Sequence, residues 1–159
     1  MAGSGAVVPV GGVLMRRSLQ ASLMELPGLV EEAEATLADA GVPMDIGLQF
    51  IIAFDEIFTN LASHGQAEAG KDVSADIVLQ LFEDRVQATI TDDGPPFDMT
   101  AVSDPDIAAD LDTREFGGLG LFIVKNIMDE VIHDRLGNRN RLLLIKRLDR
   151  PTGSDAPDK

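Results

Sequence analysis

The sequence predicts an α+β domain, a two-layer α/β sandwich in which helices cover one face of a mixed, mostly antiparallel sheet. The predicted elements follow the order strand, helix, helix, hairpin, loop, helix and strand, without the strict alternation of a doubly wound fold. The chain has 159 residues, which fits one domain. It has no cysteine, which excludes a disulfide framework, thiolate metal ligands and a cysteine nucleophile.

The first three predicted elements are a strand and two helices. Residues 18–23 alternate polar and apolar side chains, as a half-buried strand does. Residues 27–42 change to helical spacing, and Gly41 is expected to end this helix. A second helical stretch covers residues 43–65 and stops at Gly65.

The second half of the chain predicts a hairpin, a long loop, a helix and a last strand. Residues 73–82 and 85–92 are strand candidates with a short polar break between them, which is typical of a hairpin. Residues 98–116 are polar and show little apolar periodicity. A helix is predicted over residues 120–132, and a strand over residues 138–148.

The predicted domain covers residues 18–148. Residues 1–17 are expected to form a flexible leader or an early strand, and residues 149–159 a disordered tail. Arg16 and Arg17 follow the apolar stretch of the leader, whereas a secretory signal places its charges first. We therefore expect a soluble, cytoplasmic protein without a membrane partner. The formal net charge of −14 also argues against direct binding of nucleic acid.

Glu56 and Asn60 lie four residues apart in the second predicted helix and share one face of it. A carboxylate and an amide oxygen arranged in this way could hold Mg²⁺ and orient a hydroxyl group. Taken alone, the pair is weak evidence, because Glu and Asn at this spacing usually mark a hydrated helix face. Asp55, beside Glu56, can be read as a solvated side chain.

Asp92 and Gly94 follow the second strand of the predicted hairpin. A carboxylate here could accept a hydrogen bond from an exocyclic amine such as that of adenine, and the glycine would let a ring approach the backbone closely. The same residues, followed by two prolines, also signal an ordinary turn.

Gly117, Gly118 and Gly120 precede an apolar helix. Glycines at a helix N-terminus leave N–H groups free at the positive end of the helix dipole, which suits phosphate. The spacing matches neither a P-loop nor a dinucleotide fingerprint, and a flexible hinge is the other interpretation.

Together the three motifs resemble the GHKL, or Bergerat-fold, ATPases. The branch is narrowed by FDEIFTNLASHG, DDGPPFD and GGLGLFIVKNIMDEV, which are similar to the N box, adenine loop and phosphate loop of the anti-sigma-factor serine/threonine kinases. Pro96 stands where most other branches have a second glycine. The resemblance covers residues 18–148, and it implies ATP and Mg²⁺ as cofactors.

The resemblance also implies a role for each motif residue. Glu56 would be the general base, Asn60 the Mg²⁺ ligand, and Asp92, with Gly94, the adenine site. The phosphate-binding residues would be Gly117, Gly118 and Gly120. Residues 98–116 would form the lid over ATP, which agrees with a loop of uncommon length.

The implied function is a protein serine/threonine kinase and anti-sigma regulatory factor that phosphorylates a small antagonist protein. A non-catalytic switch, in which ATP only selects the partner held, would use the same pocket, but the intact Glu56 favours the kinase. A histidine kinase is disfavoured because residues 1–17 contain no phosphoacceptor histidine. The sequence does not decide whether a sigma factor is a second partner or whether the protein forms a homodimer.

Two pairs of residues have no assigned role. His64 and His133 lack the spacing of a metal pair, and a structural or surface role is expected for them. Arg114 and Lys125 flank the glycine cluster, and either could reach a phosphate. The sequence does not decide between them.

Overall fold

The computed structural model describes residues 12–65, 72–96 and 118–148. Across these ranges the chain forms a five-stranded sheet in the order β1-β2-β3-β5-β4. The strands are β1 (Gly12–Gln20), β2 (Ser74–Leu81), β3 (Arg85–Asp92), β4 (Glu130–Leu136) and β5 (Arg139–Arg147). The helices are α1 (Leu26–Asp39), α2 (Met44–Asn60) and α3 (Gly118–Ile127), and a π-helical turn, Leu61–Gly65, continues α2.

The sheet is antiparallel at each of its four strand pairings. Its inner face is marked by alternation: along β2 and β3 every second side chain is buried. These side chains pack in one core with the apolar faces of the helices. The α+β two-layer fold predicted from the sequence is therefore confirmed, with an antiparallel sheet among the described strands.

The centre of the core is α2. Phe50 and Phe54 are fully buried, and their ring centroids lie 6.2 Å apart. The stretch Met44–Ser63 also has the length and mean hydropathy of a membrane-crossing helix, a property that core helices of soluble proteins share. In this fold the apolar character of α2 serves the core, because each aromatic side chain that it buries removes a large apolar area from water.

Gly41 ends the first helix as predicted. Its φ of 80° is left-handed, a conformation that glycine adopts without steric cost. The N–H of Val42 then donates to the carbonyl of Leu37 over 3.1 Å, so a terminal carbonyl of α1 is satisfied.

The first strand begins at Gly12 and so includes residues 12–17, which the sequence assigned to a leader or early strand. Its pairing with β2 runs from Gly12, opposite Leu81, to Gln20, opposite Ser74. Residues 1–11 and the expected tail, 149–159, lie outside the described residues. The domain limits at residues 18 and 148 stay predictions.

The helix predicted over residues 120–132 is wrong in its second part. Helix α3 ends at Ile127, and Glu130–Leu136 forms β4. The N–H of Asp129 donates to the carbonyl of Ile145 over 2.9 Å, which brings the chain into the sheet. Gly137, with φ 59°, opens a two-residue turn to β5 and suits a tight hairpin.

The outer face of the sheet carries ion pairs. Asp76 on β2 accepts a hydrogen bond from the Ser18 hydroxyl, and its Oδ2 lies 2.8 Å from Arg139 Nη2. The Ser18 hydroxyl and the Arg139 guanidinium lower the pKa of Asp76, although partial burial opposes them. On the neighbouring strands, a hydrogen bond from Arg141 lowers the pKa of Asp134.

Candidate functional site

Helix α2 packs in the core along its whole length. Its first turn lines a cavity together with Arg147, which pairs with Arg85 at the start of β3. The 17 residues of α2 span about 25 Å, and the eight residues of β3 span about 26 Å. The C-terminus of α2, with Asn60, is therefore carried towards the end of the sheet where β3 stops at Asp92.

A contact at the C-terminus of helix α3 indicates the direction of this helix. Lys146 Nζ, near the end of β5, donates to the carbonyl of Ile127 over 2.7 Å. The N-terminus of α3 at Gly118 consequently points away from that end of β5 and towards its beginning, where Asn140 pairs with Asp92. All three sequence motifs thus lie towards the same end of the sheet.

Asp92 is the buried carboxylate of this end. It is 8% exposed and takes the last inward position of β3. Its Oδ1 accepts two hydrogen bonds, from the N–H of Gly94 at 2.9 Å and from Asn140 Nδ2 at 3.0 Å. Among the described residues both bonds go to Oδ1, so Oδ2 is the oxygen left for the amine of a ligand. Donors of this kind offset the cost of burying the charge.

Gly94 lies against the Asp92 carboxylate. A Cβ at this position would be 2.9 Å from Asp92 Oδ1 and 3.5 Å from Val73 Cγ1, so a side chain would not fit without displacing a neighbour. The preceding residue, Asp93, fixes the loop: its N–H donates to Ser74 O, and its Oδ1 accepts from Ser74 N at 2.8 Å. The loop therefore leaves β3 in a defined direction.

Asn140 is a site residue that the sequence analysis missed. It is 5% exposed and donates from Nδ2 to Asp92 Oδ1 and to the carbonyl of Pro95, the latter at 2.8 Å. Its own Oδ1 accepts from Arg135 Nη1 at 2.9 Å. The available signal was a polar residue at an inward position of a predicted strand, two residues before Leu142.

Glu56 and Asn60 both lie half-buried on α2, whereas Asp55 is exposed. The side-chain nitrogen of Asn60 is buried and has no acceptor among the described residues. A buried polar atom without a partner is costly, and an anionic ligand such as a phosphate would supply the missing acceptor. Just beyond Asn60 the helix becomes π-helical, a distortion that is frequent at functional sites.

These residues fit Mg²⁺-ATP. Asn60 could place its amide oxygen on the cation, and the described residues contain no cluster of three His, Asp or Glu side chains that would hold a metal by themselves. Mg²⁺ is usually bound by one or two protein oxygens together with phosphates and water, so a single amide oxygen could serve as the protein's ligand. The Asp92 carboxylate, held through Oδ1, suits a base that carries an amino group.

The other predicted residues are only partly described. Gly118 and Gly120 open α3, so their N–H groups belong to its unsatisfied first turn. Lys125 lies in the last turn of α3, at the opposite end from the glycines. Gly117, Arg114 and the predicted lid over residues 98–116 lie outside the described residues.

The two histidines lie in different parts of the fold. His64 is in the π-helical turn after α2, and His133 is on β4, opposite Leu142 of β5. The predicted absence of a histidine metal pair stays a prediction.

The sequence matches the model of the histidine kinase-like ATPase domain over residues 19–146. The chain belongs to this family. One relative, the serine-protein kinase RsbW of Halalkalibacterium halodurans, is 34% identical over 84 residues, which are 50% of this chain and 50% of the relative. The serine-protein kinase RsbW of Staphylococcus aureus is 32% identical over 84 residues, or 50% of this chain and 53% of the relative.

The chain spans about half the length of the curated relatives it matches. The resemblance to the GHKL ATPases and to their serine-kinase branch is confirmed by these matches. Kinase activity holds for the family, and its assignment to this chain depends on the site.

Proposed function

We propose that this domain is an ATP- and Mg²⁺-dependent protein serine/threonine kinase and anti-sigma regulatory factor. It phosphorylates a small antagonist protein in a cytoplasmic partner-switching pathway. The observation that carries the proposal is the buried carboxylate of Asp92, fixed through Oδ1 by the N–H of Gly94 and the amide of Asn140. Membership of the histidine kinase-like ATPase family and the serine-protein kinase name of its relatives support the reaction type.

Different elements of the fold hold the adenine ring and the phosphates of ATP. Asp92 Oδ2 accepts a hydrogen bond from the exocyclic amine of adenine, and Gly94 lets the ring lie against the backbone. The N–H groups at the start of α3, from Gly118 to Gly120 and with Gly117, bind the phosphate oxygens at the positive end of the helix dipole. Asn60 would hold Mg²⁺, and the cation would supply charge neutralisation at the phosphates.

The transfer itself needs a base near the γ-phosphate. Glu56 removes the proton from the serine hydroxyl of the protein substrate while the serine oxygen forms a bond to the γ-phosphorus. The bond from that phosphorus to the bridging oxygen breaks, and ADP leaves with the electron pair. Most of the rate then comes from positioning and charge neutralisation, with about 10²–10⁴-fold from the base.

The partners follow from the same proposal. The antagonist presents the serine, and a sigma factor is the second partner when the antagonist is absent. A net charge of −14 suits the basic, DNA-binding surface of such a factor. This contact would weaken as the ionic strength rises, since added salt screens exposed charges. Binding that does not change between low and high salt would contradict the electrostatic part of the proposal.

The test has two stages. The purified protein is first titrated with ATP by calorimetry, with and without Mg²⁺, alongside Asp92→Asn. Magnesium-dependent binding in the wild type and its loss in Asp92→Asn are expected. The absence of ATP binding in the wild type would overturn the proposal.

The second stage uses ATP labelled on the γ-phosphate and an extract of the source cells. Labelled phosphoserine should form on a small protein with the wild type and not with Glu56→Ala. Binding of ATP without any transfer would favour the non-catalytic switch instead.

A further inference from the structure

A chain of hydrogen bonds crosses the β4–β5 hairpin and ends at the adenine loop. It runs from Arg135 on β4 to Asn140 on β5 and from there to Asp92 on β3. Asn140 is the middle member and is 5% exposed. Because β3 and β5 pair antiparallel with Asp92 opposite Asn140, the backbone itself fixes how close these two side chains lie.

The orientation of the Asn140 amide is determined by its surroundings. Its Nδ2 faces three oxygens: Asp92 Oδ1 at 3.0 Å, the Pro95 carbonyl at 2.8 Å and the Gly94 carbonyl at 3.4 Å. Its Oδ1 faces the guanidinium of Arg135 at 2.9 Å. A reversed amide would set an oxygen against three acceptors and an NH₂ group against a cation, so it is excluded.

This orientation decides which oxygen of Asp92 a ligand meets. With Gly94 N and Asn140 Nδ2 both donating to Oδ1, the carboxylate cannot rotate without breaking hydrogen bonds to a buried charge. Oδ2 then presents an acceptor in one direction. A purine with an amino group at C6 can donate to it, whereas a purine with a carbonyl at C6 sets one acceptor against another.

The geometry points to Asn140 as a positioning residue that determines nucleotide specificity: it fixes Asp92 and the Pro95 carbonyl for a 6-aminopurine, and Arg135 fixes Asn140 in turn. This inference rests on the proposed function. It adds that discrimination between purines depends on a residue of the last strand that does not itself contact the base.

The experiment measures the dissociation constants of Mg²⁺-ATP and Mg²⁺-ITP by calorimetry, since inosine triphosphate has a carbonyl where adenine has its amine. Asn140→Leu removes the donor at similar volume, and Asn140→Asp replaces it with an acceptor. Arg135→Ala, at an exposed residue, removes only the group that orients Asn140. Asn138→Asp, in the exposed turn of the same hairpin, is the control for the charge change.

The ratio of ITP to ATP dissociation constants should fall about tenfold in Asn140→Leu, the effect of one hydrogen bond to a charged group. It should fall further in Asn140→Asp and less in Arg135→Ala, and should stay at the wild-type value in Asn138→Asp. A merely structural role would lower the stability or the fraction of active protein and leave this ratio unchanged.

The design distinguishes a failure of the proposed function from a failure of the role of Asn140. Wild-type protein that does not bind ATP would overturn the proposed function. Wild-type protein that prefers ATP, together with Arg135→Ala and both Asn140 variants that keep the full ratio, would overturn the role of Asn140 alone. If an Asn140 variant does not fold, as thermal melting would show, the ratio in Arg135→Ala decides.

Discussion

Replacing Gly94 by alanine puts a methyl group into the space between the adenine loop and the Asp92 carboxylate. The added Cβ would lie 2.9 Å from Asp92 Oδ1, closer than real Cβ atoms approach a neighbour, and 3.5 Å from Val73 Cγ1. The carboxylate cannot yield freely, because the N–H of Gly94 and the amide of Asn140 hold that same oxygen. Either the loop or the side chain must move.

The expected loss of stability follows from the hydrogen bonds to Asp92 and from the added methyl group. A hydrogen bond to a charged group contributes about 1.5–3 kcal/mol, and overpacking a closed site costs about 1–3 kcal/mol. We expect Gly94→Ala to lower the free energy of unfolding by about 2–4 kcal/mol, and the Tm by about 5–15 °C for a domain of this size. The affinity for ATP should fall at least about tenfold, because the displaced carboxylate no longer faces the amine.

The assay is thermal unfolding with and without ATP, together with calorimetric titration. Gly47→Ala is the matched control: a Cβ there meets Leu37 Cβ at 3.9 Å, an ordinary contact, within the interior of α2. It should stabilise the protein by about 0.5–1 kcal/mol and leave ATP binding unchanged. A Gly94→Ala variant with wild-type Tm and wild-type ATP affinity would refute the reasoning.

Three further predictions concern the helix and the sheet. Glu56→Ala should keep ATP binding and lose about 10²–10⁴-fold in phosphotransfer; transfer from labelled ATP at the wild-type rate would remove Glu56 from the mechanism. Asn60→Ala should weaken ATP binding in the presence of Mg²⁺ and reduce the difference that Mg²⁺ makes in calorimetry, and an unchanged Mg²⁺ dependence would contradict its role. The lowered pKa of Asp76 means that its bonds to Ser18 and Arg139 stabilise the fold above the pKa of the unfolded carboxyl and are lost as the pH falls through the lowered value. Asp76→Asn should therefore lower the free energy of unfolding at neutral pH by no more than about 1 kcal/mol, since the pair is so exposed. The accompanying loss of Tm should vanish in acid, and a loss that persists there would exclude the electrostatic cause.

The elements that the sequence predicted well are those with a strong local pattern. Helix α2 shows it clearly: apolar residues at helical spacing bury Phe50 and Phe54, and the pattern alone is sufficient to identify the helix. The β2–β3 hairpin has the same advantage, because side chains alternate along both strands.

Strand β4 was missed because its deciding contacts are distant in sequence. Val131 and Ile132 can continue the apolar stripe of α3, so periodicity favoured a longer helix. What ends the helix is β5: Lys146 donates to the carbonyl of Ile127, the last residue of α3, and the carbonyl of Ile145 accepts the N–H of Asp129. Contacts of this kind appear only once the sheet has formed.

The residues of the candidate site also differ in whether the sequence alone identifies them. Asp92 and Gly94 stand beside each other in the sequence and could be identified from it. Asn140 lies 48 residues from Asp92 along the chain, and in the sequence it looks like an ordinary polar residue between two arginines. Only the strand pairing shows that it binds the carboxylate.

Strand β5 makes one contact near each of its ends. Near its start Asn140 donates to the carbonyl of Pro95, and near its end Lys146 donates to the carbonyl of Ile127, the last residue of α3. The six steps between them measure about 20 Å along an extended strand. Because side chains alternate between faces, inserting or deleting a single residue would turn one of the two out of the core. The number of residues between Asn140 and Lys146 is thus constrained by two contacts on the same face of the sheet.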